Sequence, residues 1–227
     1  MKKCGVKDNL SRVPGISGRA GGFSLIELLI AMAVGLVVLA AMYSVFTIQN
    51  KTFANQEELV VMQQNARAAM DMMSREIRMA GYNPKGTLTP CSGTTSTTNT
   101  CVGIKEANAT SISFTADLNG NEGLTAGSAN PNENIIYDRY LSSGIYALGR
   151  TSNGAKQPVV ENVDTLSFSY FDANGNSTNN LANIREIQIS IRVRTAKTDP
   201  DYTDPTFDDK YRRYTLTSQV TPRNLAY

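Results

Sequence analysis

The distribution of apolar residues divides the chain into three regimes. Residues 28–50, LLIAMAVGLVVLAAMYSVFTIQN, run between Glu27 and Lys51 with no charge and no proline. As a helix rising about 1.5 Å per residue they cover about 35 Å, against a bilayer core of about 30 Å. This predicts a membrane-spanning helix, with Tyr43 and Phe46 toward its far end, where aromatic rings favour the interface. From Lys51 onward the pattern becomes amphipathic. Leu59, Met62, Ala66, Ala69, Met73 and Ala80 recur at helical spacing with Ile77 close by, while Gln63, Gln64, Arg67, Asp71, Arg75 and Arg78 fall mostly on other faces. One helix is therefore expected from about Ser24 to Ala80, stopped at Gly81-Tyr82-Asn83-Pro84, where glycine permits a cap and proline disfavours continuation. A helix on the order of 85 Å long needs a domain packed on the stripe of its outer half; the methionines there read as core filler.

Beyond Pro84 the period changes to two. Ser111–Thr115 and Thr165–Tyr170 alternate polar and apolar positions, as half-buried strands do. In Glu186–Arg194, Ile187, Ile189, Ile191 and Val193 share one face while Glu186, Gln188, Ser190, Arg192 and Arg194 share the other. Tyr214–Thr217 adds a strand, and Ile135–Tyr137 with Gly144–Leu148 suggests a hairpin. The economical fold is α+β, a long N-terminal helix packed on an antiparallel sheet of four to seven strands.

Charge and composition sharpen this. At 227 residues the chain fits one domain on a long accessory element, not a multidomain enzyme. Lys2, Lys3, Lys7, Arg12 and Arg19, against Asp8 alone, precede residue 23. Without those six the chain holds 17 basic and 19 acidic residues, a net −2, so its formal excess of +2 says nothing about nucleic-acid affinity in the body. The basic start instead predicts that residues 1–22 stay in the cytoplasm and everything beyond about residue 50 lies outside. No histidine occurs, which removes the usual general base, the Ser-His-Asp triad and the commonest zinc ligand.

A secretory signal places its cleavage site after the apolar core. Here the small residues come before it: Arg19-Ala20-Gly21-Gly22, then Phe23-Ser24-Leu25-Ile26-Glu27. These residues resemble the prepilin-type N-terminal signal, with glycine ending the leader, an aromatic first mature residue and a glutamate four positions on. A lone acid at the mouth of a spanning helix is costly in lipid and is rarely kept without a partner; a single-pass anchor with an incidental Glu27 is the alternative. The resemblance implies that a membrane prepilin peptidase cuts between Gly22 and Phe23 and methylates the new amine of Phe23. It also implies that Glu27 pairs with the N-terminal amine of a neighbouring subunit and sets register. Major pilins often carry a proline partway along this segment; here the first after the cut is Pro84, so local melting on assembly is not indicated.

The helix text from Gln64-Asn65-Ala66-Arg67 to Met79-Ala80-Gly81-Tyr82 and the ending Thr221-Pro222-Arg223-Asn224 resemble the PilW-like minor pilins. The resemblance covers roughly residues 18–85 and the extreme C-terminus. It divides the chain into a cytoplasmic leader to be removed (1–22), a transmembrane and filament-core helix (23–50), an amphipathic helix (51–82) and a β-rich extracytoplasmic head (83–227). It implies a structural, non-enzymatic subunit, held in the inner membrane and then incorporated at or near the tip of a type IV pilus. Its partners would be prepilin peptidase, other minor and major pilins and the inner-membrane assembly platform. A J-type pseudopilin of type II secretion and a membrane-anchored calcium-dependent adhesin are the competing readings.

Cys4 falls in the leader, leaving Cys91 and Cys101 around a soft Ser/Thr-rich segment, which reads as a structural disulfide in an oxidising compartment. No cofactor is implied, with one possible exception. Asp117, Asn119 and Asn121 place oxygen side chains at the alternate spacing of a calcium loop, with Glu122 or Glu133 available, but the glycine is shifted from its expected place. Asp172-Ala173-Asn174-Gly175-Asn176 is a weaker version, and Asn-Gly turn chemistry accounts for both without metal. Arg192 and Arg194 read as a solvated strand face, and nucleic-acid binding is not indicated because interleaved exposed aromatics are missing.

Overall fold

The computed structural model describes residues 21–96, 100–125, 127 and 129–225. The basic leader to residue 20, with Cys4 and Arg19, and Thr97, Thr98 and Asn99 between the later cysteines lie outside them. Helix α1 runs Leu25–Met79, within a residue of each predicted end. Its residues belong to two compact units, one ending at Lys51 and one beginning at Thr52.

In the first unit every described residue is exposed. Among the described residues α1 is the one helix long and apolar enough to cross a membrane. Leu28, Leu36, Leu39 and Phe46 are each more than half exposed, and a helix apolar on all sides belongs inside lipid or a packed core.

In the second unit α1 buries Met62, Ala66, Ala69, Met70, Met73 and Ile77 in the core, with Leu59 packed at its margin. Met70, and with it Ser74, lies outside the predicted stripe yet is buried, so the buried stripe is broader than the periodicity predicts. Gly81 ends the helix in the left-handed region at φ +83, and the Tyr82 amide donates to the Met79 carbonyl at 3.0 Å. Chain residues from the other end close on this point. The Arg223 amide donates to the Arg78 carbonyl at 3.1 Å, and a Cβ on Gly81 would lie 2.8 Å from the Asn224 carbonyl oxygen.

The strands are β1 (Thr89–Pro90), β2 (Cys101–Ala107), β3 (Ser111–Thr115), β4 (Asn134–Ser142), β5 (Ile145–Ser152), β6 (Ala155–Glu161), β7 (Val163–Phe171), β8 (Glu186–Arg194) and β9 (Arg213–Val220). Where the periodicity predicts one antiparallel sheet of four to seven strands, these form two sheets, ordered β1-β2-β3-β4-β5-β6 and β7-β8-β9. Pairing is antiparallel throughout except that β1 runs parallel to β2. Two strands carry no alternation to read. The first five residues of β2 are all buried, and β6 is an edge strand whose position lets it hold Pro158. β8 shows the opposite case, with Ile187, Ile189, Ile191 and Val193 buried and every intervening residue only partly so. Its apolar face joins Leu166, Phe168 and Tyr170 of β7 and the helix methionines in one core.

Candidate functional site

The N-terminal segment places its three assigned residues in sequence around the start of α1. Gly22 and Phe23 lie outside regular structure, and Phe23 is 92% exposed. Ser24 is the cap: its carbonyl accepts the first helical bond from the Leu28 amide at 3.2 Å, and its own amide donates to Glu27 Oε2 at 3.0 Å. This is the return half of a capping box, in which a glutamate three residues into the helix satisfies a donor that α1 itself leaves free. Glu27 thus holds a local role within one chain. The Ser24-x-x-Glu27 spacing is the sequence signal for it. The peptide bond between Gly22 and Phe23 sits just ahead of the cap, where cutting it would leave the helix start intact.

In the head, α1 is pinned to the first sheet by a half-buried polar triad. The Tyr137 hydroxyl of β4 donates to Glu76 Oε2 at 2.5 Å, and Arg150 of β5 donates to both Glu76 oxygens at 2.8 to 3.1 Å. Arg150 also reaches Asn132 Oδ1 at 2.8 Å. Burial, then the Glu76 carboxylate, pushes the Tyr137 hydroxyl well above the usual tyrosine range, so it remains a protonated donor. No motif points to this triad; Glu76 simply flanks the apolar stripe.

Cys91 and Cys101 form a disulfide, and both are buried. The oxygens of the Asp117-Asn119-Asn121 pattern serve the turn itself. Asp117 accepts from the Gly120 and Glu122 amides at 2.8 and 3.2 Å, Asn119 Oδ1 from the Asn121 amide at 2.8 Å, and Asn121 Oδ1 from the Gly123 amide at 2.7 Å. Asp172 likewise accepts from the amides of Asn174 and Asn176. Among the described residues no three His, Cys, Asp or Glu side chains converge as a metal site.

The expectation of a bare, solvated arginine face on β8 is corrected. Segment 195–212 folds over it and supplies the aromatic rings that the strand pattern lacks. Arg192 and Arg213 stack on Phe207, at 4.7 and 4.0 Å, and Arg194 on Tyr211 at 4.3 Å. Arg212 stacks on Tyr202 at 4.4 Å. The charges are countered locally. Arg213, its side chain 9% exposed, reaches Asp164, Asp204 and Asp209, and Arg212 meets Asp199 at 2.8 Å. The Arg213 guanidinium holds the Asp209 carboxyl down at about 2; Arg212 lowers Asp199, and the Thr206 amide, ahead of Arg213, lowers Asp204. A carboxylate whose folded pKa is depressed stabilises the fold above its unfolded value and loses that contribution as pH falls through the folded one. We therefore expect segment 195–212 to loosen between about pH 4 and pH 2 while the β8 amides stay protected. Amide exchange across that range checks this, and uniform loosening of both would contradict it.

Residues 55–221 match the family model described as prepilin peptidase-dependent protein B, and residues 18–43 match the prokaryotic N-terminal methylation motif. Among solved structures, a type IV-like pilin from Thermus thermophilus is similar at 10% identity and a TM-score of 0.43, over 72% of this chain and 98% of its own. No curated protein matches.

Proposed function

The chain belongs to the prepilin peptidase-dependent protein B family, and from that premise we propose that it is a PilW-like minor pilin, a structural subunit incorporated at or near the tip of a type IV pilus to prime assembly. One observation carries the reading: a methylation motif over residues 18–43 overlaps a helical segment, residues 28–50, that is apolar and exposed on every side. Such a helix can be stored in the inner membrane and then repacked among like helices in a fibre without ever facing water.

In this mechanism prepilin peptidase removes residues 1–22 and methylates the amine of Phe23. Glu27, which caps Ser24 within the single chain, exchanges that bond for the cationic amine of a neighbouring subunit. In a fibre core of low dielectric the pair is weakly screened, and its worth lies in fixing register more than in net stability. The head beyond Pro84 lies outside the inner membrane and meets other minor pilins or the surroundings.

The deciding experiment is mass spectrometry of the N-terminal peptide from sheared surface fibres and from membranes. A methylated Phe23 terminus in fibres is expected; an intact leader found only in membranes would end the assembly reading. The same measurement on Glu27→Ala separates processing from packing. That chain should be cut and methylated normally yet be recovered in fibres at about a tenth of the wild-type level, the effect of losing about 1.4 kcal/mol of register energy per subunit. Equal recovery would refute the pairing role.

A further inference from the structure

The hairpin of β4 and β5 ends in exposed apolar side chains. Leu141 pairs with Tyr146 and Ser142 with Ile145, and the chain turns on two residues, Ser143 and Gly144, at φ +50 and +84, as a tight hairpin favours. Leu141 is 58% exposed, Tyr146 45% and Ile145 39%. Paired residues share a face and successive ones alternate, so Leu141 and Tyr146 stand on the face that carries Tyr137 and Arg150, and Ile145 stands on the other. Arg139, on the first face, lies over the Tyr146 ring at 3.5 Å and donates to the Val163 carbonyl at 2.9 Å. Apolar groups clustered on one exposed tip mark a contact surface, unlike apolar residues scattered singly.

The course of the hairpin across the head says what lies beyond the tip. Away from the tip, Tyr137 and Arg150 hold Glu76 of α1. Nearer to it, Leu148 and Ala147 pair with Val160 and Glu161 of β6, which line a groove with Glu58, Val61, Met62 and Asn65 of α1. Toward its tip the hairpin therefore advances from the later turns of α1 to earlier ones, and from Ala147 to Ile145 it runs on by about 7 Å. It overhangs the end of the head where α1 enters, at Thr52, two residues past the apolar run 28–50.

We propose that the hairpin tip, residues 141–146, inserts into the surface of the bilayer that residues 28–50 span and holds the head against it. A protein partner would pack on one side of a hairpin, whereas both faces here are apolar, as a medium that surrounds the tip requires. The residues suit an interface between oil and water: leucine and isoleucine for the acyl boundary, a tyrosine with an apolar ring and a polar end, and an arginine whose fork of donors matches headgroup phosphate. A tip this short reaches only the boundary of headgroups and acyl chains, about 5–10 Å deep. The contact fixes how the stored head faces and is given up when the subunit leaves the bilayer. It rests on the membrane-spanning part of the proposed function, and not on processing or fibre entry.

The chain contains no tryptophan, so one introduced indole reports alone. The test is the full chain reconstituted in phosphatidylcholine vesicles, plain or brominated near the top of the acyl chains, as Leu141→Trp, Ile145→Trp and, for reference, Leu118→Trp. Leu118 is 43% exposed but lines a pocket with Met79, at the other end of α1. Brominated lipid should quench both tip variants and leave Leu118→Trp unchanged, and adding Leu141→Asp to Ile145→Trp should abolish the quenching. All three positions are exposed, and an unfolding midpoint equal to that of the wild type checks that each variant folds. Tip indoles quenched no more than Leu118→Trp overturn the proposal. Quenching at all three positions lays the whole head on the bilayer and overturns it as well, and emission that follows protein density instead of bromine places a second copy on the tip, with the same result. Flotation with the vesicles is read on the same sample. A chain that does not float removes the membrane-spanning reading and this proposal with it, whereas a floating chain with an unquenched tip removes the contact alone.

Discussion

A Gly22→Val chain should accumulate in the membrane with residues 1–22 still attached, and sheared fibres should contain none of it. The substitution does not disturb folding: a Cβ on Gly22 meets nothing within 4 Å, and α1 begins three residues later at Leu25. On the proposed reading its effect falls on the peptidase, which would bring catalytic groups against the backbone at the Gly22 carbonyl. A β-branched side chain there stiffens the residue and fills the space the enzyme requires. Displacement of a scissile bond by about 1 Å costs about 100-fold in rate. Intact mass of the membrane fraction reads the result directly. Normal processing of Gly22→Val would remove the leader assignment and, with it, the free Phe23 amine on which the role of Glu27 depends.

The second large effect is expected at the junction of helix and sheet. Glu76→Ala leaves Arg150, its side chain 14% exposed, with the Asn132 side chain as acceptor, and leaves the hydroxyl of Tyr137, a residue with 0% exposure, without the carboxylate it donates to. Removing one partner of a half-buried pair strands the other, which costs about 3 kcal/mol, and the orphaned hydroxyl adds about 1 kcal/mol. Denaturant unfolding of the full chain should show an earlier midpoint at unchanged slope. Adding Arg150→Met should recover part of the loss, because the stranded charge goes with it. A change within about 0.5 kcal/mol, typical of an ordinary surface position, would show that the triad holds nothing together.

The parts of this fold legible in the sequence are those set by a strict period. The outer half of α1 carries helical periodicity, its inner half an unbroken apolar run and β8 strand periodicity, and the observed limits, Leu25–Met79 and Glu186–Arg194, fall on or next to the expected ones. β6 was hidden because its first four residues are exposed and its pattern is irregular. Its signal was the turn before it: Asn153 and Gly154 both take positive φ, +54 and +76, the pair that a two-residue hairpin favours. The split into two sheets hangs on one residue. Asn162, between Glu161 of β6 and Val163 of β7, takes φ +60 and turns the chain out of one sheet into the other, a choice that no local pattern announces.

The candidate site was legible where chemistry is local. The Gly22-Phe23 junction, Glu27 and the cysteine pair stand out by residue type and spacing. Glu133 accepts from the Leu118 and Asn119 amides fifteen and fourteen positions upstream, a contact that no local pattern announces. The covered arginine face illustrates the same limit. Arg192 and Arg194 alternate with buried residues and so read as facing water, yet the aromatic segment that covers them, with Phe207 and Tyr211, has no period of its own.

The closure of residues 223–225 on the end of α1 bears on the order of events during synthesis. The Asn224 side chain donates to the Met79 carbonyl across 145 positions, so this contact at the helix end forms only after residue 224 has left the ribosome. The apolar N-terminal segment is available for insertion long before that, and loop closure over such a span is slow compared with local helix formation. The start of α1 is therefore made well before its end is sealed. A translation product interrupted before residue 223 would lack the Arg223 and Asn224 donors to the Arg78 and Met79 carbonyls and carry an open helix end, a ready target for proteolysis.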